Sequence, residues 1–272
     1  MKARRKVAGL HAVEAVLEHS PDKVMVAWAD TARQDGRLRR LLEQLNAIGV
    51  KPQPAQKNRL DVLAEGQAHQ GLVVEVLVPE ELGENALRSV LEQPAGVPFF
   101  LVLDHVQDPH NLGACLRTAD AAGVQGVILT KDQSVGITPI VAKVASGAAE
   151  TMPVFRVTNL ARALSWLKEA GIWVVGAAGE AQQTMFESDL SVPLALVMGA
   201  EGRGMRRLTR ESCDLLVSIP MAGKVESLNV SVATGVLLYE AVRQRCRAQS
   251  ARNQRLHRSE LLFLSNVTEL PK

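Results

Sequence analysis

The stretch IPMAGKVESLNVSVATG (residues 219–235) poses the question that decides the fold. Apolar and polar residues alternate through Ser227, Leu228, Asn229, Val230, Ser231 and Val232. This alternation has the period of a strand, yet the chain continues into VLLYEAVRQR, whose spacing predicts a helix. Serine and asparagine between a strand and a packed helix are unexpected in a core. We therefore expect this turn to contact a ligand.

The sequence around this stretch alternates strands and helices. FFLVLDHV, GVILT, IWVVGAA, LALVMGAEGRG and LLVSIP are near-continuous apolar runs, and segments with helical spacing separate them. Apolar strands without polar alternation are typical of a parallel sheet that is covered on both faces. The pattern predicts an α/β fold with a parallel sheet in the C-terminal part.

The N-terminal part predicts a second, smaller α/β domain. LHAVEAVLEH and GRLRRLLEQLNAIG have helical spacing, whereas KVMVAWA and GLVVEVLV resemble strands. We predict a small domain over residues 1–78, a proline-framed linker over 79–97, a larger domain over 98–247 and a C-terminal extension over 248–272, to which we assign no role. The 272 residues suit two domains at about 150 residues each.

Composition excludes several classes of protein. The three cysteines, Cys115, Cys213 and Cys246, lie far apart and form no CxxC pair, which argues against a zinc site or a disulfide framework and for a reducing cytoplasm. No apolar run approaches the ~18 residues of a membrane span. We expect a cytoplasmic protein with no metal and no membrane contact.

The charge of the chain is only faintly basic, with a formal net charge of +2. The first six residues contain Lys2, Arg4, Arg5 and Lys6. Such a cluster can contact phosphates, but a solvated, frayed terminus is the favoured interpretation of four charges alone.

The first of three polar motifs is DPHNLGACLRTADAAG (residues 108–123). Asn111 has the side chain of a helix N-cap. Arg117 lies among small residues, so it requires an anion, a cleft, or an ion pair with Asp108 or Asp120. Spacing alone does not choose among these.

The second motif is MGAEGRG (residues 198–204), which follows a buried strand. Its glycines permit a close backbone approach to a ligand, but their spacing differs from the dinucleotide fingerprint, which argues against a Rossmann-type oxidoreductase. The carboxylate of Glu201 would repel a pyrophosphate and suits a hydroxyl, an amine or an arginine. Four basic residues with offsets 0, 3, 4 and 7 predict one cationic helix face, either solvated or phosphate-binding: Arg203, Arg206, Arg207 and Arg210.

The third motif is the opening stretch. The predicted strand LLVSI ends at Pro220, and Gly223 lies in the turn. Ser227 predicts the N-cap of the following helix. Asn229, which would lie within the first turn of that helix, has no comparable structural role.

The three motifs in this order, with GLHAVEAVLE and HQGLV upstream, make the chain resemble the SPOUT superfamily, in particular the TrmH-type RNA ribose 2′-O-methyltransferases. The resemblance implies a trefoil knot in the C-terminal domain and an S-adenosyl-L-methionine site built by the knot. It also implies a homodimer whose active site uses both subunits, and an N-terminal RNA-binding domain similar to ribosomal protein L30e.

The resemblance also implies the site residues. Those expected in catalysis are Asn111, Arg117, Glu201, Ser227 and Asn229, and those expected to line the cofactor pocket are Gly199, Ile219 and Leu228. A guanidinium is almost never deprotonated, so we favour Arg117 as a stabiliser of negative charge, with a role as base left open.

The implied reaction is methylation of the ribose 2′-hydroxyl of a guanosine in 23S ribosomal RNA, as part of rRNA processing. A transfer-RNA ribose 2′-O-methyltransferase and a non-catalytic RNA-binding protein of the same fold are the alternatives.

Overall fold

The structure is a computed structural model that describes residues 4–30, 32–33, 35–77 and 81–267, with side chains up to residue 250 except that of His19. Within this part the chain forms two sheets, one of four strands and one of seven.

The four-stranded sheet consists of β1 (Arg4–Ala8), β2 (Val24–Ala29), β3 (Gln53–Pro54) and β4 (Leu72–Leu77) in the order β1-β4-β2-β3. Strand β4 is antiparallel to both of its neighbours. The helices of this part are α1 (Leu10–His19), α2 (Gly36–Ala47) and α3 (Lys57–Leu63), with a 3₁₀ turn over Pro21–Lys23. Leu72, Val74 and Val76 of β4 are buried in one core. Val73 is buried in a second core on the other face, so β4 is the centre of this region.

The expectation of a frayed N-terminus is wrong from residue 4 onward. Arg4–Ala8 form an edge strand whose backbone pairs with β4. The Arg5 side chain is largely buried and forms an ion pair with Glu150 in the C-terminal part. Backbone pairing and this ion pair order a segment whose charge alone predicts solvation. Lys2 lies outside the described residues.

The seven-stranded sheet confirms the predicted α/β class. Its strands are β5 (Phe99–Asp104), β6 (Gly126–Thr130), β7 (Val154–Val157), β8 (Trp173–Ala177), β9 (Gln183–Thr184), β10 (Leu194–Gly199) and β11 (Leu215–Ser218). They lie in the order β7-β6-β5-β10-β8-β11-β9, and every pairing is parallel.

Helices cover both faces of this sheet. One face packs against α5 (Pro109–Ala121), α6 (Pro139–Ala145), α7 (Ala148–Thr151) and α10 (Val230–Val267). The other packs against α4 (Glu84–Glu92) and α8 (Leu160–Glu169). Leu101 and Leu103 of β5 face the first layer and Phe100 and Val102 the second, which explains why the strand has no polar alternation.

The segment predicted as a linker packs against the large sheet where it is described. Leu87 and Leu91 of α4 are buried in the same core as α8. Leu82 forms a bridge with Phe155 of β7. The connection after residue 80 is thus fixed by the apolar contacts of α4 and by the backbone hydrogen bonds of Leu82.

Helix α10 runs over 38 residues and carries the predicted C-terminal extension in helical form as far as Val267. Residues 268–272 lie outside the described part. In the described residues no helix combines the length and apolar character needed to cross a bilayer. The trefoil knot stays a prediction.

Candidate active site

A cavity of about 240 Å³ opens where β8, β10 and β11 end, next to the start of α10. The three residues predicted to bind the cofactor, Gly199, Ile219 and Leu228, all line it. Glu201 and Ser227 line it as well. The carboxyl ends of parallel strands are where open α/β sheets bind ligands, so the position and the residues agree.

The loop after β10 explains the glycines of the second motif. A Cβ on Gly199 would overlap the carbonyl carbon of Gly204 and the nitrogen of Met205, because the loop folds back directly over β10. Gly202 and Gly204 have φ values of 73° and 65°, which favour glycine. The loop thus brings bare backbone to the wall of the cavity.

Asp104, which sequence reasoning missed, holds this loop in place. It ends β5 beside Gly199, and its side chain is fully buried. Its two carboxylate oxygens accept hydrogen bonds from the backbone N and from Nε of Arg206, each at 2.9 Å, and Oδ1 lies 2.7 Å from Nδ1 of His105. Burial raises the pKa of Asp104, but hydrogen bonds from Arg206, Thr209 and His105 outweigh it, and the net pKa is lowered. The sequence did contain a signal for this role, because Asp104 is a single carboxylate at the end of an otherwise apolar strand.

Three predicted catalytic residues meet at the rim of the cavity. The Nδ2 atoms of Asn111 and Asn229 each donate to Oε1 of Glu201 at 2.6 Å. Asn229 Nδ2 also lies 3.0 Å from Oδ1 of Asn111. Residues distant in sequence thus form one hydrogen-bonded cluster, which joins all three motifs through α5, the glycine loop and the start of α10.

Both predicted helix caps are wrong. Asp108 caps α5 by accepting from the backbone N of His110, so Asn111 lies inside the helix and its side chain is free to reach Glu201. Helix α10 begins at Val230, and Oδ1 of Asn229 accepts from the backbone N of Ser231 at 2.9 Å. Asn229 therefore does what was expected of Ser227, which instead lines the cavity.

Arg117 does not join this cluster. Six helical residues correspond to about 600°, so Arg117 points about 120° around α5 from Asn111. It is exposed and lines a different cavity with His110, Ile140 and Lys143. An ion pair with Asp108 or Asp120, one of the alternatives that spacing left open, is absent among the described residues.

The predicted four-arginine face does not form. Helix α9 spans only Arg207–Glu211, since the backbone of Arg206 is extended and bound to Asp104. Arg207 pairs with Glu211, and Arg210 pairs with Glu180. The helical offsets therefore do not apply to Arg203 and Arg206.

A buried thiol lies behind the cluster. Burial raises the pKa of Cys115 to about 11, and its Sγ lies 3.6 Å from Oγ1 of Thr234. All three cysteines are free. Where the structure describes side chains, no group of three or more His, Cys, Asp or Glu is placed to hold a metal ion.

Two family models match the chain. Residues 98–239 match the SpoU rRNA methylase family. The chain belongs to this family. Residues 6–81 match a second model, described as RNA 2′-O ribose methyltransferase substrate binding. The SpoU match covers the large sheet and every residue of the cluster, and it confirms the resemblance drawn from the three motifs.

Relatives of known name are similar over most of their length. The 23S rRNA (guanosine-2′-O-)-methyltransferase RlmB of Shewanella oneidensis is 55% identical over 245 residues, which is 90% of this chain and 99% of that protein. The protein of the same name from Haemophilus influenzae is 55% identical over 241 residues, covering 88% of this chain and 98% of its own.

Solved structures of SpoU relatives share the fold. The SpoU methyltransferase AviRb from Streptomyces viridochromogenes, in complex with its cofactor AdoMet, has a TM-score of 0.73 at 27% identity, covering 89% of this chain and 91% of its own. An AdoMet-bound rRNA methyltransferase from Sinorhizobium meliloti has a TM-score of 0.72 at 26% identity, covering 88% and 87%.

Proposed function

We propose that this SpoU-family protein transfers a methyl group from S-adenosyl-L-methionine to the ribose 2′-hydroxyl of a guanosine in 23S ribosomal RNA. The observation that carries the proposal is the Asn111–Glu201–Asn229 cluster at the mouth of a cavity lined by Gly199, Ile219 and Leu228. The names of the relatives at about 55% identity supply the substrate class.

The cavity fits the methyl donor by its chemistry. Backbone groups around Gly199 and Ile219 can bind the polar edge of an adenine, and Leu228 offers an apolar contact. No side chain can stand between Gly199 and the loop that covers it. The bound cofactor supplies an electrophilic sulfonium methyl group.

The cluster would orient the ribose. Oε1 of Glu201 accepts both asparagine amides, and within the described residues its Oε2 has no hydrogen-bond partner. That oxygen can accept from a sugar hydroxyl. Ser227, on the cavity wall, can donate to or accept from the same sugar. The main contribution of these residues to catalysis would be to hold the 2′-oxygen in line with the methyl–sulfur bond.

Arg117 requires a second copy of the chain to act at this site. Within one chain it lies on a different side of α5 from Asn111. Val232 and Tyr239, seven residues apart on α10, are each 51% exposed and give the helix an apolar outer face. We infer a homodimer in which Arg117 of one subunit stabilises negative charge on the 2′-oxygen at the other. A role as proton acceptor stays the alternative.

The N-terminal part, taken as a domain over residues 1–78, would bind the RNA. The match of residues 6–81 to a substrate-binding model supports this assignment. We keep residues 79–97 as the connection and 98–247 as the methyltransferase domain.

Mapping ribose methylation in 23S rRNA tests the function. A deletion strain should lack one 2′-O-methylguanosine, and expression of the intact chain should restore it. The purified protein should transfer tritiated methyl from the donor to rRNA of the deletion strain but not to rRNA of the parent. Methylation of transfer RNA alone, or donor binding without transfer to any RNA, would contradict the proposal.

A further inference from the structure

A second cavity, of about 470 Å³, lies between α5 and α6 on the side of α5 that carries Arg117. Its lining residues are His110, Arg117, Ile140, Lys143, Val144 and Ser146. The two helices are in direct contact beside it, because a Cβ on Gly113 would lie 2.7 Å from Cβ of Val144 and 2.8 Å from the carbonyl oxygen of Val141. This contact fixes Lys143 on the wall opposite Arg117.

The charges of this cavity are of one sign. Among the residues that the structure describes, no carboxylate lines it, and both Arg117 and Lys143 are exposed. In the part of the chain that the structure describes, neither has an ion pair or a side-chain hydrogen bond. Two cations in one cleft repel each other, so the arrangement favours an anionic ligand.

The nearby carboxylates are already engaged. Asp108 caps α5 and accepts from Nδ2 of Asn111 at 3.1 Å. Asp120 accepts from Oγ1 of Thr151 at 3.1 Å. These contacts hold both carboxylates in other interactions, so neither is paired with Arg117 or Lys143, and both cations are available to an anionic ligand.

We propose that this cavity binds a backbone phosphate of the RNA substrate and that Lys143 is the positioning residue that holds it. The proposal rests on the proposed function and extends it. Lysine provides a compact charge for one phosphate, whereas the guanidinium of Arg117 can direct a second pair of N–H groups towards the sugar. Lys143 would thus fix the target nucleotide relative to Arg117 without contacting the reacting atoms.

The test compares Lys143→Ala and Lys143→Arg with the control Lys168→Ala. Lys168 lies on α8, on the opposite face of the sheet, and pairs with Asp214 at 3.6 Å, so its loss removes the same charge elsewhere. Each full-length variant is measured for thermal unfolding, for donor affinity by calorimetry, for RNA affinity at several salt concentrations and for single-turnover methyl transfer.

We expect Lys143→Ala to unfold normally, to bind the donor like the wild type and to lose about one phosphate contact, which lowers the slope of log affinity against log salt by about 0.7–0.9. Transfer should slow by about tenfold, since the ribose is less well placed. Lys143→Arg should have a salt slope and a transfer rate close to those of the wild type. Lys168→Ala should change neither the slope nor the rate.

Three results would overturn the proposal: a salt slope for Lys143→Ala equal to that of Lys168→Ala, a slower transfer without any change in slope, or preferential binding of an acidic peptide over RNA at this cavity. Failure of the proposed function looks different. In that case the wild type transfers no methyl group, while the slope difference between Lys143→Ala and Lys168→Ala persists.

Discussion

The two cavities on either side of α5 differ in how their polar groups are satisfied. At the first, Asn111, Glu201 and Asn229 bind one another, and Asp104 holds the loop that forms the wall. At the second, Arg117 and Lys143 bind nothing in the described chain. The first site is organised by the fold itself. Our proposals assign the organisation of the second site to a bound phosphate and a partner subunit, and the predictions below test that distinction.

The largest effect is expected for Gly199→Ala. The new methyl group would overlap the backbone of Gly204 and Met205, so the loop would have to open and the first cavity would lose its shape. Donor affinity, measured by calorimetry, should fall by at least ~100-fold, a loss of about 2.7 kcal/mol. The control is Gly83→Ala, just before α4, because an added Cβ there meets nothing within 4 Å and the residue does not line the first cavity. Equal affinities of the two variants would show that the loop does not shape the donor site.

Arg117→Lys should lower turnover without changing donor affinity, and so distinguish the role of the second cavity from that of the first. It keeps the charge but loses the planar fork, so turnover should fall by about 10²–10³-fold, as for the loss of one oxyanion donor. Donor affinity should stay unchanged, since Arg117 does not line the first cavity. Single-turnover kinetics and calorimetry measure the two quantities. A parallel loss of both would disprove the assignment of Arg117.

Asp104→Asn should lower the stability of the folded protein, because Asp104 holds the loop that forms the wall of the first cavity. The amide of asparagine has one acceptor oxygen and cannot replace both the backbone N–H bond and the charged Nε bond from Arg206, so the free energy of unfolding at pH 7 should fall by about 1–3 kcal/mol. Since the folded pKa of Asp104 is lowered, its stabilisation is complete above its unfolded pKa of about 3.9 and is lost as the pH falls through the lower folded value. Urea titrations at pH 7 and below pH 4 check both points. An equal difference between variant and wild type at every pH would show that the charge is irrelevant.

The smallest effect concerns the cysteines. Burial raises the pKa of Cys115 to about 11 and that of Cys213 to about 12, so at pH 8 both are almost entirely protonated. Cys246 is exposed. Brief treatment of the native protein with iodoacetamide should therefore alkylate Cys246 alone, with donor affinity unchanged. Peptide mass spectrometry identifies the site, and urea-unfolded protein is the control. Early modification of Cys115 would show that the wall behind the cluster opens.

The strands that were predicted correctly are those with strong local signals. FFLVLD, GVILT and LALVMG are buried on both faces, so their composition alone distinguishes them. The edge strand β1 escaped prediction because its charged residues satisfy their backbone by pairing with β4, far along the chain. Tertiary pairing decides such a segment, and no local propensity can reveal it.

The sequence predicted which residues belong to the site, but it did not predict how they are arranged. Asn111, Glu201 and Asn229 were identified by motif, yet their mutual hydrogen bonds depend on Asp108 and Asn229 acting as the caps. Choosing the wrong cap moved both helix starts by up to three residues. The angle of about 120° between Arg117 and Asn111 follows from their spacing on a helix. Which of the two side chains faces Glu201 is shown only by the folded structure.

Strand β4 lies between β1 and β2 in the small sheet, although it is the last of the four strands to be synthesised. Strand β1 therefore leaves the ribosome without a pairing partner, and β2 has only the short β3 beside it, until residues 72–77 emerge. The nascent N-terminal region should accordingly resist protease only after this last strand has emerged. The ion pair between Arg5 and Glu150 can form only later, after about 70 further residues have been synthesised.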